Sequence, residues 1–226
     1  MQHKFIKMTF IKENYKKIAD YSQNLSIKNQ EIKPSIIVVT KNRPISSVTQ
    51  AIKFGIRHFA ENRLQEAISK FVEIKKKHND IELHMTGPMQ TNKVKKSLEI
   101  FDVFHTLDRE KLALEFNKNI GDFSINKKKS FFIQVNTGNE PQKSGIATDQ
   151  LFDFFNYCNK DLSINIIGLM CIPPIDEDPQ EHFILLKNLA KNINLKFLSM
   201  GMSADYKTAL TCGATHIRIG SLLFDD

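Results

Sequence analysis

The most constraining feature of this sequence is a regular alternation of short apolar runs with segments of helical periodicity. The strand-forming runs, each bounded by turn-forming residues, are 35–40, 56–61, 81–87, 102–107, 131–137, 164–170, 195–201 and 215–221. Apolar residues recur with helical spacing in residues 46–55, 65–78, 92–100, 109–120, 147–159, 178–192 and 204–213. The alternation predicts parallel strands that are buried on both faces and connected by helices.

Eight such strands favour an α/β fold of the closed (β/α)₈ TIM-type barrel class. An open doubly wound sheet usually has fewer strands and carries a Gly-rich nucleotide turn, and no GxGxxG motif follows any run. Six residues follow Gly220, which leaves no room for an eighth helix. We therefore expect a helical segment before the first strand, residues 8–25, to cover part of that face. No linker or internal repeat divides the chain, so residues 1–226 are expected to form a single domain.

Composition excludes several classes of protein. Hydrophobic residues make up 41% and charged residues 25%, which is typical of a globular domain rather than a disordered or fibrous chain. No apolar run is long enough to cross a bilayer, and the N-terminus has no secretory h-region, so we expect a cytoplasmic protein. Cys158, Cys171 and Cys212 show neither CxxC nor zinc-ligand spacing, which predicts reduced structural thiols.

A formal net charge of +7 raises the possibility of a basic RNA-binding module. The lysines cluster at 75–77, 93–96 and 127–129 without interleaved aromatic residues. Solvated helix faces are the favoured interpretation, and RNA binding is kept as an alternative.

Polar residues of mixed type follow the predicted strands. In a barrel of this class the active site is built at the carboxyl edge of the strands, so these residues should converge on one face. They are Lys41, Asn62, His84–Gly87, His105, Thr106, Asn136, Thr137, Met170, Ser199, Met200, Gly201, Arg218, Gly220 and Ser221.

Lys41 directly follows four aliphatic residues and a threonine. A lysine at a strand end is commonly a capping residue, but inside a closing barrel it can be desolvated, which favours the neutral amine and Schiff-base chemistry with a carbonyl. The loops after the seventh and eighth strands are the common phosphate site of this fold, and Ser203 is a good N-cap for the helix that begins there. Pyridoxal 5′-phosphate (PLP) would use both features. Arg218 could then donate a hydrogen bond to the ring nitrogen, its alternative role being a salt bridge.

Seven blocks in order resemble the YggS/PROSC-type PLP homeostasis proteins over about residues 34–224. They include "VVTKNRP", "FAENRLQE", "LHMTGPMQTNKVKK", "FHTLDR" and "IIGLMCIPP", and the most specific is "SMGMSADY" followed by "GATHIRIGS". The resemblance implies a PLP-bearing barrel similar to the N-terminal domain of alanine racemase. It assigns the Schiff base to Lys41 and cofactor contacts to Asn62, Ser199, Met200, Gly201, Arg218, Gly220 and Ser221, with Arg218 facing the pyridine nitrogen.

Members of this family are regarded as carriers or regulators of PLP without established turnover, and they affect amino- and keto-acid metabolism indirectly. The resemblance therefore implies PLP as ligand, with apo PLP-dependent enzymes as candidate recipients, and we expect a monomer. The chain departs from the family pattern at Ala60, Arg63 and Leu83, where Gly, Tyr and Trp are common.

A PLP-dependent racemase or lyase is the alternative of the enzyme class. Arginine has no acceptor and would leave the ring nitrogen unprotonated, so carbanion chemistry would be poorly supported. Such an enzyme also needs a second acid or base, and none of the tyrosines falls at a strand end. They are Tyr15, Tyr21, Tyr157 and Tyr206. His84 and His105 are expected to be hydrogen-bonded structural residues, and because no histidine pair has metal-ligand spacing, no metal is expected.

Overall fold

The structure, a computed structural model, describes residues 2–29, 32–121 and 128–224. Its strands are β1 (Ser35–Val39), β2 (His58–Glu61), β3 (Glu82–Met85), β4 (Val103–Leu107), β5 (Ser130–Asn136), β6 (Ile146–Ala147), β7 (Ile166–Met170), β8 (Phe197–Met202) and β9 (His216–Ile219). Its α-helices are α1 (Gln2–Asn29), α2 (Ile45–Lys53), α3 (Leu64–Lys77), α4 (Val94–Ile100), α5 (Glu110–Ile120), α6 (Leu151–Asn156), α7 (Pro179–Asn192), α8 (Tyr206–Thr211) and α9 (Ser221–Phe224). A 3₁₀ turn at Thr91–Lys93 precedes α4, and a π-helical turn at Tyr157–Asp161 follows α6.

Parallel pairing closes the sheet into a barrel. The strand order is β4-β3-β2-β1-β9-β8-β7-β5, and β5 pairs with β4 to complete the ring. All of these pairings are parallel, as the buried apolar runs predict. The predicted TIM-type barrel and its eight strands are therefore confirmed.

Two expectations about helices need correction. The helix predicted over 147–159 begins only at Leu151, because Ile146 and Ala147 extend the sheet as the two-residue strand β6 beside β5. A one-turn helix, α9, follows the last strand where no helix was expected. The long helix α1 lies against it, with Asn14 Nδ2 donating a hydrogen bond to the Leu222 carbonyl over 3.0 Å. The N-terminal helix thus covers this face, as expected, but over a longer span than 8–25.

The strands bury both faces because successive side chains alternate between the barrel interior and the surrounding helices. On β1, Ile36 and Val38 join the large apolar core between sheet and helices. On the opposite face, Val103, Phe132 and Met170 form a small separate apolar layer within the barrel. None of the helices in the described ranges is long and apolar enough to span a membrane.

The three cysteines are free and buried, as the sequence predicts. Burial raises the pKa of both Cys158 and Cys171 to about 12, and it also raises the pKa of Cys212. Because the thiolate is the reactive form, we expect the native protein to react slowly with a chromogenic disulfide reagent and all three thiols to react in urea. Rapid, stoichiometric reaction of the native protein would contradict this placement.

Candidate functional site

Lys41 lies at the carboxyl edge of β1, in an exposed turn. It follows Thr40, whose buried side chain donates a hydrogen bond to Glu61. The aliphatic run was expected to desolvate Lys41. This does not occur, because β1 ends at Val39, and of the two residues that follow, Thr40 is buried and Lys41 is exposed. Lys41 is therefore an accessible amine at the rim of the barrel.

A buried ionic network fixes the backbone on both sides of Lys41. Lys70 on α3 donates from Nζ to the Thr40 carbonyl over 2.7 Å, to Glu61 Oε1 over 2.9 Å and to Glu66 Oε2 over 3.0 Å. Thr40 Oγ1 donates to Glu61 Oε1 over 2.6 Å, and the Asn42 amide donates to Glu66 Oε2 over 2.9 Å. The residue before Lys41 and the residue after it are thus both anchored to α3.

Asn42 has a φ of 58°. This left-handed conformation is one that asparagine tolerates better than most residues. The turn that presents Lys41 is therefore defined by the Asn42 backbone as well as by the network.

Arg218 on β9 lies inside the barrel and is buried. Its Nη1 donates to Ser199 Oγ over 2.7 Å, and its Nη2 donates to the Cys171 carbonyl over 3.0 Å. Burial lowers the pKa of the Arg218 guanidinium. No ion pair joins Arg218 to a carboxylate among the described residues, so the salt bridge considered from the sequence is not formed there.

A chain of hydrogen bonds runs from Arg218 through the barrel interior. His105 Nδ1 lies 2.8 Å from Ser199 Oγ, and His105 Nε2 lies 2.9 Å from His84 Nδ1. His84 Nε2 in turn lies 3.1 Å from Glu82 Oε1. A guanidinium can only donate hydrogen bonds and a carboxylate can only accept them. One placement of the protons therefore satisfies every contact: Arg218 donates to Ser199, Ser199 to His105, His105 to His84, and His84 to Glu82. The expected hydrogen-bonded role of the two histidines fits this geometry.

The protonation states of the two histidines and of Glu82 agree with hydrogen bonds that all donate toward Glu82. Burial lowers the pKa of His84 and lowers the pKa of His105 strongly, which keeps both imidazoles neutral. Hydrogen bonds from His58 and His84 hold the pKa of Glu82 far below its ordinary value. Along this chain of hydrogen bonds, the buried cation Arg218 lies at one end and the half-buried carboxylate Glu82 at the other, and neutral groups join them.

Asn62 follows β2 at the same edge of the barrel as Lys41. Its side-chain oxygen accepts a hydrogen bond from Thr86 Oγ1 over 2.9 Å. A Cβ at Gly87 would lie 2.1 Å from the Asn62 carbonyl oxygen, so the close approach of these two loops requires glycine. Asn62 also lines a groove of about 560 Å³ together with residues such as Met89, Lys93 and Arg109.

The segments after β8 and β9 meet at Ser203. Its Oγ lies 3.3 Å from the backbone N–H groups of Gly220 and of Leu222, both of which donate to it. Ser203 does not cap α8, which begins at Tyr206 after Asp205. Asp205 instead accepts a hydrogen bond from the Met202 amide through Oδ1, at 2.6 Å.

The other positions that the resemblance assigns to cofactor contacts divide between two environments. Ser199 has its hydroxyl committed to His105 and Arg218, and Met200 is fully buried in the core outside the barrel. Any contact of Met200 with a ligand in the barrel opening would therefore come from its backbone. Gly201 has a φ of 90°, and a Cβ there would lie 2.5 Å from the Ala209 Cβ. Gly220 and Ser221 lie at the junction of β9 and α9, and Ser221 is exposed.

Sequence reasoning did not identify the network of Glu61, Glu66 and Lys70 or the cluster around Glu82. The spacing of Glu66 and Lys70, four residues apart on a predicted helix, signals an ion pair. It does not signal that the pair reaches the Thr40 backbone. His58 and Glu82 are register partners on neighbouring strands, which spacing along the chain cannot show.

Comparison with known proteins adds four findings. The family described as alanine racemase, N-terminal domain, matches residues 8–226. A pyridoxal phosphate homeostasis protein from Aquifex aeolicus is 35% identical over 200 residues, which cover 84% of this chain and 86% of that protein.

PipY from Synechococcus elongatus PCC7942 has been solved without and with bound PLP. These structures are 32% and 30% identical, with TM-scores of 0.79 and 0.76, and each comparison covers 90% of this chain and 99% of the other. An alanine racemase from Clostridium difficile 630 shares the fold at 16% identity and a TM-score of 0.65, covering 91% of this chain and 55% of the racemase.

Proposed function

Because this chain belongs to the family of pyridoxal phosphate homeostasis proteins, we propose that it binds PLP as a Schiff base on Lys41 and keeps the cofactor available within the cell. PLP supplies a reactive aldehyde, an electron-withdrawing pyridine ring and a phosphate. The observation that carries the proposal is that one end of the barrel combines an accessible lysine at its rim with a buried arginine that has no carboxylate partner among the described residues.

The residues present fit the cofactor. Lys41 offers the amine. Arg218 has more donors than the two that bind Ser199 and Cys171, and it is suited to an uncharged ring nitrogen because it cannot accept a proton. The amides of Gly220 and Leu222 converge on the Ser203 hydroxyl, and a phosphate oxygen is a stronger acceptor for such N–H groups.

Asn62 would contact the cofactor from β2, and Ser199, Met200, Gly201 and Ser221 would complete its surroundings as the resemblance implies. For Met200, whose side chain is in the core, the contribution would come from the backbone.

A carrier role is favoured over direct catalysis. An arginine leaves the ring nitrogen unprotonated, which makes the cofactor a weak electron sink. The tyrosines, which could supply a second acid or base, lie on α1, in the π-helical turn and on α8 rather than on barrel strands. We expect no exchange of the amino-acid α-proton for deuterium at enzymatic rates when the PLP-loaded protein is incubated with alanine or serine. Exchange that depends on Lys41 would make this protein an enzyme.

Arg218→Gln should weaken PLP binding. The substitution removes a hydrogen bond from a charged donor, which is worth about 1.5–3 kcal/mol, so the dissociation constant should rise roughly 10- to 100-fold. Titration of the apoprotein with PLP, followed by visible absorption, measures the change. Arg57→Gln is the matched control, because Arg57 precedes β2 at the amino end of the barrel and binds Asp80 there. Equal affinity of the Arg218 variant and the parent protein would contradict the assigned contact.

Three lysines of the basic clusters are engaged in ion pairs, which weakens the case for the RNA-binding alternative. Lys75 Nζ lies 2.7 Å from Asp102 Oδ2, Lys76 Nζ lies 2.6 Å from Glu73 Oε1, and Lys96 pairs with Glu99. Part of the 127–129 cluster lies outside the described residues. Steeply salt-dependent RNA binding that survives Lys41→Ala would favour the alternative.

The proposed role as a PLP carrier also concerns where the protein acts and which proteins receive the cofactor. We infer a cytoplasmic monomer, consistent with three free cysteines. Apo PLP-dependent enzymes would be the recipients of the cofactor, and the whole chain would act as one PLP-binding unit. Mixing the PLP-loaded protein with an apo-aminotransferase and measuring the rate of activation, relative to free PLP, tests delivery.

A further inference from the structure

Three metal-ligating side chains meet at the amino end of the barrel, opposite the Lys41 rim. His58 and Glu82 are the first residues of β2 and β3, and His84 is two residues further along β3. His58 Nδ1 and His84 Nε2 each lie 3.1 Å from Glu82 Oε1, and the two nitrogens lie 3.5 Å apart. We refer to these residues as the His58–Glu82–His84 cluster.

The three distances match one face of a metal coordination tetrahedron. Zinc bonds imidazole nitrogen and carboxylate oxygen at about 2.0–2.2 Å, so ligand atoms around a tetrahedral ion lie about 3.3–3.5 Å apart. Two imidazoles and one carboxylate are also a known zinc ligand set, in which a water takes the fourth position. The ligand atoms of the cluster would therefore need only small shifts to hold such an ion.

The cluster is open on one side and supported on the other. The side chains of His58 and Glu82 are 41% and 35% exposed, which leaves a route for an ion and a water molecule. His84 is fully buried, and its other nitrogen bonds His105. A ligating histidine almost always has its second nitrogen held by such an outer partner.

We propose that the His58–Glu82–His84 cluster binds a divalent transition metal ion of the zinc class, with water as the fourth ligand. The proposal depends on side chains at the amino end of the barrel and does not rest on PLP binding.

Occupation of the site would reverse the hydrogen-bond chain described above. A metal on His84 Nε2 requires the proton to lie on Nδ1, which then donates to His105 Nε2. His105 must in turn carry its proton on Nδ1 and donate to Ser199, so the serine hydroxyl turns its hydrogen elsewhere. Each imidazole keeps one proton throughout, so this is a change of tautomer without a change of charge. A metal at one end of the barrel would thus alter the surroundings of Arg218.

Calorimetric titration of the chelator-treated, PLP-free protein with Zn²⁺ tests the site, with Co²⁺ as a probe of tetrahedral geometry by visible absorption. We expect one saturable equivalent. Glu82→Gln and His58→Ala should each weaken binding by at least the roughly 10- to 100-fold that loss of an outer-shell partner costs. Imidazole ¹⁵N NMR should show His105 changing tautomer when Zn²⁺ is added.

Glu177→Gln is the matched control, because Glu177 also pairs with a histidine, His182, at 3.0 Å but has no second histidine beside it among the described residues. It should bind Zn²⁺ as the parent protein does. Circular dichroism would confirm that each variant is folded. The proposal is overturned if no saturable binding occurs, or if folded Glu82→Gln and His58→Ala variants bind Zn²⁺ with unchanged affinity.

Discussion

Lys41→Ala should abolish covalent retention of PLP without unfolding the protein. Lys41 is exposed in the turn after β1 and makes no packing contribution to the core, so the free energy of unfolding should change by less than about 0.5 kcal/mol. Without the amine, PLP can be held only by noncovalent contacts. Gel filtration after PLP loading, with the visible spectrum of the protein fraction, should show a yellow parent protein and a colourless variant.

Lys53→Ala provides the control, because Lys53 is another exposed lysine, at the end of α2. It should retain PLP like the parent protein. A Lys41→Ala variant that stays yellow through gel filtration would mean that a different lysine carries the cofactor.

Lys70→Met should destabilise the protein by about 3–5 kcal/mol, because it removes one partner of a buried ion pair and leaves Glu61 uncompensated. The Glu61 side chain is fully buried, and its Oε2 has no hydrogen-bond partner among the described residues. Methionine keeps the volume of the lysine stem but supplies no charge. Urea unfolding followed by circular dichroism measures the loss.

The loss of stability caused by Lys70→Met should depend on pH. Burial raises the pKa of Glu61 above its ordinary value, while Thr40 and Lys70 oppose the shift, so removing Lys70 raises this pKa further. A raised carboxyl pKa favours the folded state below the ordinary carboxyl pKa, and that contribution is lost as the pH rises through the folded-state value. The deficit of Lys70→Met should therefore be smaller at about pH 5 than at about pH 8.

Two controls separate the buried pair from general effects on α3. Lys76→Met makes the same substitution on the same helix, but its pair with Glu73 is exposed, so the change should stay within about 1 kcal/mol. Combining Lys70→Met with Glu61→Leu removes both charges and should recover part of the stability. If Lys70→Met costs no more than Lys76→Met, the network does not hold the Lys41 turn as described.

The barrel could be predicted because its signal is local. Each strand is an apolar run such as residues 35–40, and each helix has its own periodicity, so closure into a parallel barrel follows from the number of units. The one-turn helix α9 and the two-residue strand β6 were missed because segments so short carry no periodicity.

The site could be predicted only in part. The strand-end rule selected Lys41, Asn62 and Arg218 as candidates, but it could not show that Lys41 is exposed or that the Ser199 hydroxyl is committed to the barrel interior. Those facts depend on where each strand ends and on which neighbour each side chain meets. Contacts across the barrel, such as His105 with Ser199, join residues far apart in the chain and leave no pattern in a single sequence.

Borohydride reduction of the PLP-loaded protein, followed by proteolysis and peptide mass mapping, identifies the residue that carries PLP. Reduction fixes the cofactor at the nitrogen to which it is bound. We predict one pyridoxyl-phosphate group per chain, on the peptide that contains Lys41. A label on any other lysine, or no label on a folded protein that has been exposed to PLP, would contradict this prediction.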